Sequence, residues 1–320
     1  MTDSYGRKIE YMRVSVTDRC NLRCKYCMPD GIKNIPMPEI LTFEEIRDIC
    51  SAAAELGIKY IRLTGGEPLV RLGVEKLAAM IKEINGIERL TLTTNGVLLK
   101  EKLPLLLSAG IDGVNISLDT LDRKKFRDIT GFDKLEDVLM SLDAAVKSGI
   151  KVKINTVILD DNKDDFIKLA SLAEGLPIDV RFIEMMPIGE GGKYRSVSGE
   201  AILKELKEKY KKVYPAEENM GNGPAVYYGI RGFKGKIGFI NAVHGQFCSQ
   251  CNRIRLTSTG FLKTCLCYDD GVSLREAVRA KRLDEVKRLM EEAVKNKPAA
   301  HCFSQRKGIT EERDMSEIGG

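Results

Sequence analysis

Six β-rich segments alternate with helical patterns over the first two thirds of the chain, and that alternation limits the fold more than any other feature. MRVSVT (12–17), YIRLT (60–64), RLTLTT (89–94), GVNISLD (113–119), KVKINTVIL (151–159) and DVRFIEM (179–185) have strand composition. Between them, stretches such as TFEEIRDICSAAAELG (42–57), DKLEDVLMSLDAAVKSG (133–149) and KDDFIKLASLAEG (163–175) space apolar residues near 3.6 and end in glycine. Strands joined by crossover helices pair in parallel. Six units fall short of the eight that close a full barrel, so the expected α/β fold is a partial, six-unit parallel β/α barrel, with a doubly wound open sheet as the alternative.

The rhythm breaks after about residue 212. GPAVYYGIRGFKGKIGFINAV reads as short strands joined by glycine turns, followed by a second cysteine group and two helices near 273–280 and 282–295. The expected division is therefore a barrel over 1–211 and a C-terminal α+β extension over 212–320, packed on the barrel and ending in a polar tail. No apolar run is long enough for a membrane span, and the N-terminus lacks a secretory pattern, which points to a cytoplasmic location. The net charge of +5 is spread along the chain, as solvated helix faces would have it, and argues against a nucleic-acid surface.

Nine cysteines in a reducing compartment read as metal ligands or redox groups in preference to a disulfide framework. CNLRCKYCMP holds three of them, Cys20, Cys24 and Cys27, in a loop leaving the first strand. A closed zinc site wants a fourth ligand, and the nearest further sulfur, Cys50, shares an apolar helix stripe with Ile46, Ile49 and Ala53. Three thiolates on a four-iron cube leave one iron open, which suits this triad better. FCSQCNRIRLTSTGFLKTCLC supplies a second triad, Cys248, Cys251 and Cys265. There zinc stays open as an alternative, because Cys267 or His244 could complete it; Cys302 in the tail has no evident partner.

Polar and glycine-rich motifs follow several strands: RLTGGEP (62–68), TTNG (93–96), SLD (117–119) and EMMP (184–187). Carboxyl ends of parallel strands carry the site in barrels, so these motifs and the first cysteine loop are expected on one rim around one pocket.

The spacing Cys20-x3-Cys24-x2-Cys27, with Tyr26 before the last cysteine, resembles the signature of the radical S-adenosylmethionine superfamily. The resemblance implies a 4Fe–4S cluster whose free iron chelates S-adenosylmethionine and whose electron cleaves it to a 5′-deoxyadenosyl radical. It places Tyr26, Gly66 of GGEP, Ser117 and Met186 at the cofactor, the glycines leaving room for its methionine amino group. The second triad, Arg253 and Arg255 just beyond its first pair, and the Gly319–Gly320 end resemble the GTP 3′,8-cyclase family of molybdenum cofactor biosynthesis over essentially the whole chain. That likeness implies a second 4Fe–4S cluster on Cys248, Cys251 and Cys265, with guanine at its open iron. GTP contacts fall on Arg13, Arg62, Thr93, Lys153, Arg253 and Arg255, with Arg181 a weaker member, and the chain has no G-x4-G-K-[ST] loop to hold a triphosphate instead. Gly319 and Gly320 are implied to act in the active site, while Glu67 and Asp119 receive no catalytic role. The implied partners are GTP, an electron donor and, by product hand-off, the next enzyme of the pathway; a homodimer is compatible with the sequence, and no membrane or nucleic acid is expected. His244 and Cys267 depart from the family pattern beside the second triad. A radical enzyme acting on a peptide or RNA and a non-catalytic iron–sulfur or zinc protein are the other readings.

Overall fold

A computed structural model describes residues 1–319 apart from 32–34, 196, 217–220, 222 and 246. The six expected strands are present as β1 (Tyr11–Ser15), β2 (Tyr60–Thr64), β3 (Arg89–Thr94), β4 (Gly113–Ser117), β5 (Lys151–Ile158) and β6 (Asp179–Glu184), and consecutive strands pair in parallel. The helical patterns fold as α1 (Phe43–Glu55), α5 (Leu135–Lys147) and α6 (Phe166–Gly175). Less marked segments supply α2 (Val74–Lys82), α3 (Leu99–Ser108), α4 (Arg123–Thr130) and α7 (Gly199–Lys209). Local chemistry sets the ends: Thr42 and Glu45 form a reciprocal capping box on α1, and Gly131 closes α4 at φ 78°.

Along each parallel strand the side chains alternate between two environments. One face, which includes Met12, Val14, Ile61, Leu63, Leu90, Leu92, Val152 and Ile154, is buried in one continuous apolar core with the helices. Each such side chain contributes roughly 1.5–3 kcal/mol on burial, so the register of the sheet is strongly specified. The other face carries Arg13, Arg62, Thr93, Asn115, Ser117, Lys153, Asn155 and Arg181, whose polarity makes sense only around a cavity.

The segment after residue 212 is not merely laid on this sheet. It adds β7 (Val213–Pro215), β8 (Val226–Ile230), β9 (Ile237–Ile240), β10 (Arg253–Leu256), β11 (Phe261–Lys263) and β12 (Gly271–Ser273) to both edges, in the order β12-β11-β10-β1-β2-β3-β4-β5-β6-β9-β8-β7. β9 joins β6 and β10 joins β1, both in parallel, so eight parallel strands run unbroken between antiparallel edges. The sequence pattern does not reveal these pairings because β9 and β10 are four residues each. α8 (Arg275–Arg279) and α9 (Leu283–Lys295) cover α1, and α10 (Met315–Ile318) ends the described chain. Among the described residues no helix is long and apolar enough to cross a membrane.

Candidate active site

The loop after β1 and the GGEP turn after β2 are built against each other. Gly66 N–H donates to the Thr17 carbonyl at 2.8 Å and Glu67 N–H to the Arg19 carbonyl at 2.8 Å. A Cβ on Gly65 would lie 2.6 Å from the Thr17 oxygen, and one on Gly66 2.5 Å from both the Asp18 and Arg19 oxygens. The glycines are therefore required by the cysteine loop's own backbone, a reason that differs from room for a ligand. Glu67, 1% exposed, then ties this turn to the end of β3: it accepts from Leu69 N at 3.0 Å, Thr94 Oγ1 at 2.7 Å and Asn95 N at 2.6 Å. Burial pushes its carboxyl up to about 7 against the pull of those donors.

On the opposite side, Tyr26 of the cysteine loop donates to Asp119 at 2.7 Å, and Asp119 also accepts from Val157 N at 2.8 Å. Burial raises the Asp119 carboxyl to about 6. The two carboxylates excluded from catalysis on sequence grounds are thus anchors of the loop that carries the first triad.

One cavity of about 320 Å³ is walled by all six thiols of the two triads. Tyr26, Gly66, Thr93, Ser117 and Met186 line it too, together with Arg13, Arg253 and Arg255. All nine cysteines are free. Burial and then neighbouring negative groups push the Cys24 thiol well up, and burial with Cys20 takes Cys27 to about 12. In the second triad burial also raises Cys251, but Arg253 and Lys297 outweigh it and bring that thiol to about 7. The six thiols, Cys248 buried and the others half-buried, face one space, although among the described residues no three of them are drawn together closely enough to hold a metal ion.

The cationic residues expected at GTP do not all line one cavity. Arg13 is opposite Arg255 on one side and Arg62 on the other, a row of three guanidinium groups across β10, β1 and β2. Burial, Arg13 and Arg253 hold the Arg255 guanidinium well below its usual range. Arg62 and Lys153 do not line the main cavity; with Arg181 they line a smaller pocket of about 70 Å³ toward the amino ends of the strands. Lys153 is paired there, at 3.1 Å from Asp179 and 2.9 Å from Tyr227 Oη, and burial lowers it to about 8. Arg13 Nε and Arg181 Nε are buried with no hydrogen-bond partner among the described residues. Buried N–H groups of that kind are rare unless a ligand completes them.

The tail enters the same site. The Arg255 guanidinium donates to the Gly319 carbonyl at 2.5 Å, and Met315 and Ser316 line the cavity. Gly319 has φ 90°, and a Cβ there would meet Ser15 Cβ at 2.8 Å and Thr64 Oγ1 at 2.9 Å. Gly320 lies outside the described residues. The glycine-rich GEGGKY patch has the matching role, since a Cβ on Gly189 would fall 2.5 Å from Asp314 Oδ1.

Sequence reasoning missed Lys297, Phe247 and His301, which line the cavity from the segments flanking the second triad. Lys297 is 3% exposed and donates to the carbonyls of Arg253 and Thr264. A lysine in a polar tail carries no pattern that marks it as buried. His244 faces Glu184 at 3.1 Å, and the Glu184 carboxylate also accepts from Val243 and His244 N–H groups, so that histidine secures the end of β6. Cys50 is buried in the α1 core as expected. Cys302, in contrast, does have a partner: its sulfur lies 3.1 Å from that of Cys267.

The family model described as the radical SAM superfamily matches residues 14–173, and the one described as Molybdenum Cofactor Synthesis C matches 178–303. A GTP 3′,8-cyclase of Clostridium perfringens (strain SM101 / Type A) is 46% identical over 323 residues, and one of Pelotomaculum thermopropionicum is 42% identical over 327, each covering all of both chains. Among solved structures, Streptococcus suis SuiB bound to precursor peptide SuiA superposes with a TM-score of 0.66 at 13% identity, over 97% of this chain and 76% of that one. SuiB bound to S-adenosylmethionine gives 0.64 at 15%, over 87% of this chain and 65% of that one. At such identities these two speak for the fold. Full-length identity of 46% together with both family models is a different order of likeness, and on it the chain belongs to the GTP 3′,8-cyclase family of the radical S-adenosylmethionine superfamily.

Proposed function

We propose that this chain converts GTP to 3′,8-cyclo-7,8-dihydroguanosine 5′-triphosphate, an early step of molybdenum cofactor biosynthesis, with the following division of labour. Cys20, Cys24 and Cys27 hold one 4Fe–4S cluster and Cys248, Cys251 and Cys265 the other. When bound, the first cluster with S-adenosylmethionine would supply the one-electron chemistry that the reaction at C3′ of GTP needs, and Cys248, Cys251 and Cys265 would hold the second beside the guanine. Tyr26, Gly66, Ser117 and Met186 seat S-adenosylmethionine, while Glu67 and Asp119 hold the loops beneath it.

Arg13, Arg253 and Arg255 receive GTP within the main cavity, and Arg62, Lys153 and Arg181 extend the cationic surface toward the amino ends of the strands. Guanidinium forks suit phosphate oxygens, and their burial makes each contact count for more than it would in water. Thr93 orients the nucleotide from β3, and Gly319 packs the tail against Arg255, with Gly320, outside the described residues, assigned to the same site by the family likeness. These residues do no acid–base work; they orient C3′ toward its oxidant and keep other quenchers out. In this reading residues 1–211 form a six-unit partial barrel and 212–320 a C-terminal extension, working in the cytoplasm with an electron donor and handing product to the next enzyme.

The observation that carries the proposal is Arg13, whose buried Nε has no partner among the described residues and which, with Arg253 and Arg255, lines the one cavity that both thiol triads face. The test is anaerobic reconstitution, followed by incubation with GTP, S-adenosylmethionine and dithionite. We expect about eight irons per chain and the cyclised nucleotide. Serine at each of Cys248, Cys251 and Cys265 should leave about four irons and cofactor cleavage without cyclisation. Cyclisation surviving in those three variants would refute the assignment of the second triad.

A further inference from the structure

Cys267 and Cys302 are the two cysteines in the C-terminal region that the proposed cluster assignment leaves unused, and they meet. Their sulfurs are 3.1 Å apart, and the Cys302 N–H points at the Cys267 sulfur from 3.3 Å. Neither residue lines the main cavity, although Cys265 does. Both belong instead to a small apolar cluster with Ile188, Phe303 and Ile318, of which Ile188 and Phe303 also line the cavity. Cys267 is fully buried and Cys302 is partly exposed. The chain makes space for the second sulfur: a Cβ on Gly308 would stand 2.9 Å from Cys302 Sγ. Gly308 is not in the left-handed region, so the close approach of that sulfur is what its missing side chain permits.

From this pairing we propose that Cys267 and Cys302 form a reversible thiol–disulfide site whose oxidant is a low-molecular-weight disulfide. The partly exposed Cys302 thiolate attacks one sulfur of the small disulfide; a Cys302–sulfur bond forms, the small disulfide's bond breaks, and one small thiol leaves. Cys267 then attacks Cys302 Sγ, its proton passing to the departing small thiolate, so that the Cys267–Cys302 bond forms as the second small thiol leaves. The two cysteines lose two electrons, and the small disulfide gains two electrons and two protons. The sulfurs need to approach by only ~1 Å to reach bonding distance.

The position gives the bond a purpose. Cys267 lies two residues beyond Cys265, and Cys302 follows His301, whose backbone N–H points at the Cys248 sulfur from 3.4 Å. The Cys267 carbonyl also accepts the N–H groups of Thr310 and Glu311 at the start of the tail. A bridge here would fasten the strap at 297–303 to the segment that carries Cys265.

The experiment uses the full chain with both clusters loaded, held anaerobically with excess oxidised glutathione, alkylated and digested without reductant. We expect most of both thiols in one Cys267–Cys302 linked peptide, full reversal by dithiothreitol, and unchanged iron. Gly308→Ala, which displaces the Cys302 sulfur, should slow the linkage several-fold. Cys302→Ser should abolish it while keeping the iron and the product rate of the reduced protein. A glutathione adduct that stays on Cys302, no modification at all, or linkage through Cys248, Cys251 or Cys265 with loss of iron would each overturn the proposal. Loss of about four irons in Cys302→Ser would do so too, by making Cys302 a cluster ligand.

Discussion

Gly66 and Glu67 are neighbours in GGEP, yet they act by opposite means, one by lacking atoms and the other by what its atoms accept. In Gly66→Ala the added carbon meets two backbone oxygens that cannot swing aside. Overpacking of that kind costs about 1–3 kcal/mol and shifts the backbone, so the cysteine loop should move relative to β2. The expected result is retained iron with release of 5′-deoxyadenosine reduced at least tenfold, read under dithionite. Glu67→Gln sets an amide N–H₂ against donors that now meet carboxylate oxygens. Loss of about 1–3 kcal/mol in unfolding is expected. The pH dependence has a definite sign. With its carboxyl raised from 4.5 to about 7, the folded chain keeps a proton that the unfolded chain has lost. The contribution of this group is therefore full below about 4.5 and declines as pH rises through about 7. Wild-type melting temperatures should fall across that window relative to those of Glu67→Gln; parallel profiles would show that Glu67 does not titrate there.

At the scale of elements, the tail offers the clearest test. α10 and Gly319 lie across the ends of β1 and β2, held by Arg255 and by the ion pair of the buried Lys263 with Glu311. Gly319→Ala should leave both clusters and GTP affinity intact and lower turnover by about 10²-fold, the cost of displacing reactants by an ångström or so. Wild-type product rates in this variant, or in a chain truncated after Ile318, would reduce the tail to a mere end. The elements also show what the sequence could reveal. β1 to β6 were legible within two residues because each is a run of strand-forming residues between helices, and the six thiols were legible because their spacing is local. The role of the glycines in GGEP was not, since it depends on where the backbone of Thr17 to Arg19 passes. Nor was the split of the cations between two pockets. Arg62 and Arg13 look alike in sequence and stand opposite one another in the sheet; Arg62 differs in turning toward Thr91 and the Tyr11 ring, which line the smaller pocket.

For the whole molecule, the N-terminal segment and the second triad are a single construction. Arg7 donates to the carbonyls of Cys248, Pro298 and Ala299 at 2.7–2.9 Å and pairs with the buried Asp3. Arg7→Ala leaves Asp3 with only the backbone N–H groups of Tyr5 and residue 7, at a cost of roughly 1–3 kcal/mol, and frees the loop that carries Cys248. About four of the eight irons should be lost, while cleavage of S-adenosylmethionine by the first cluster continues. Iron analysis and 5′-deoxyadenosine release on one preparation would separate the two effects; equal loss from both clusters would contradict a local clamp. The parallel pairing of β10 with β1 carries the same dependence into biosynthesis. Tyr11 emerges from the ribosome far ahead of Arg253, its partner in the sheet, and at ~5–20 residues per second that interval is on the order of ten seconds or more. Throughout it, β1 is an uncovered edge and the first thiol triad is exposed to whatever metal or oxidant the cell contains. A nascent chain of this design needs something else to shelter its opening strand until its own last third has been made.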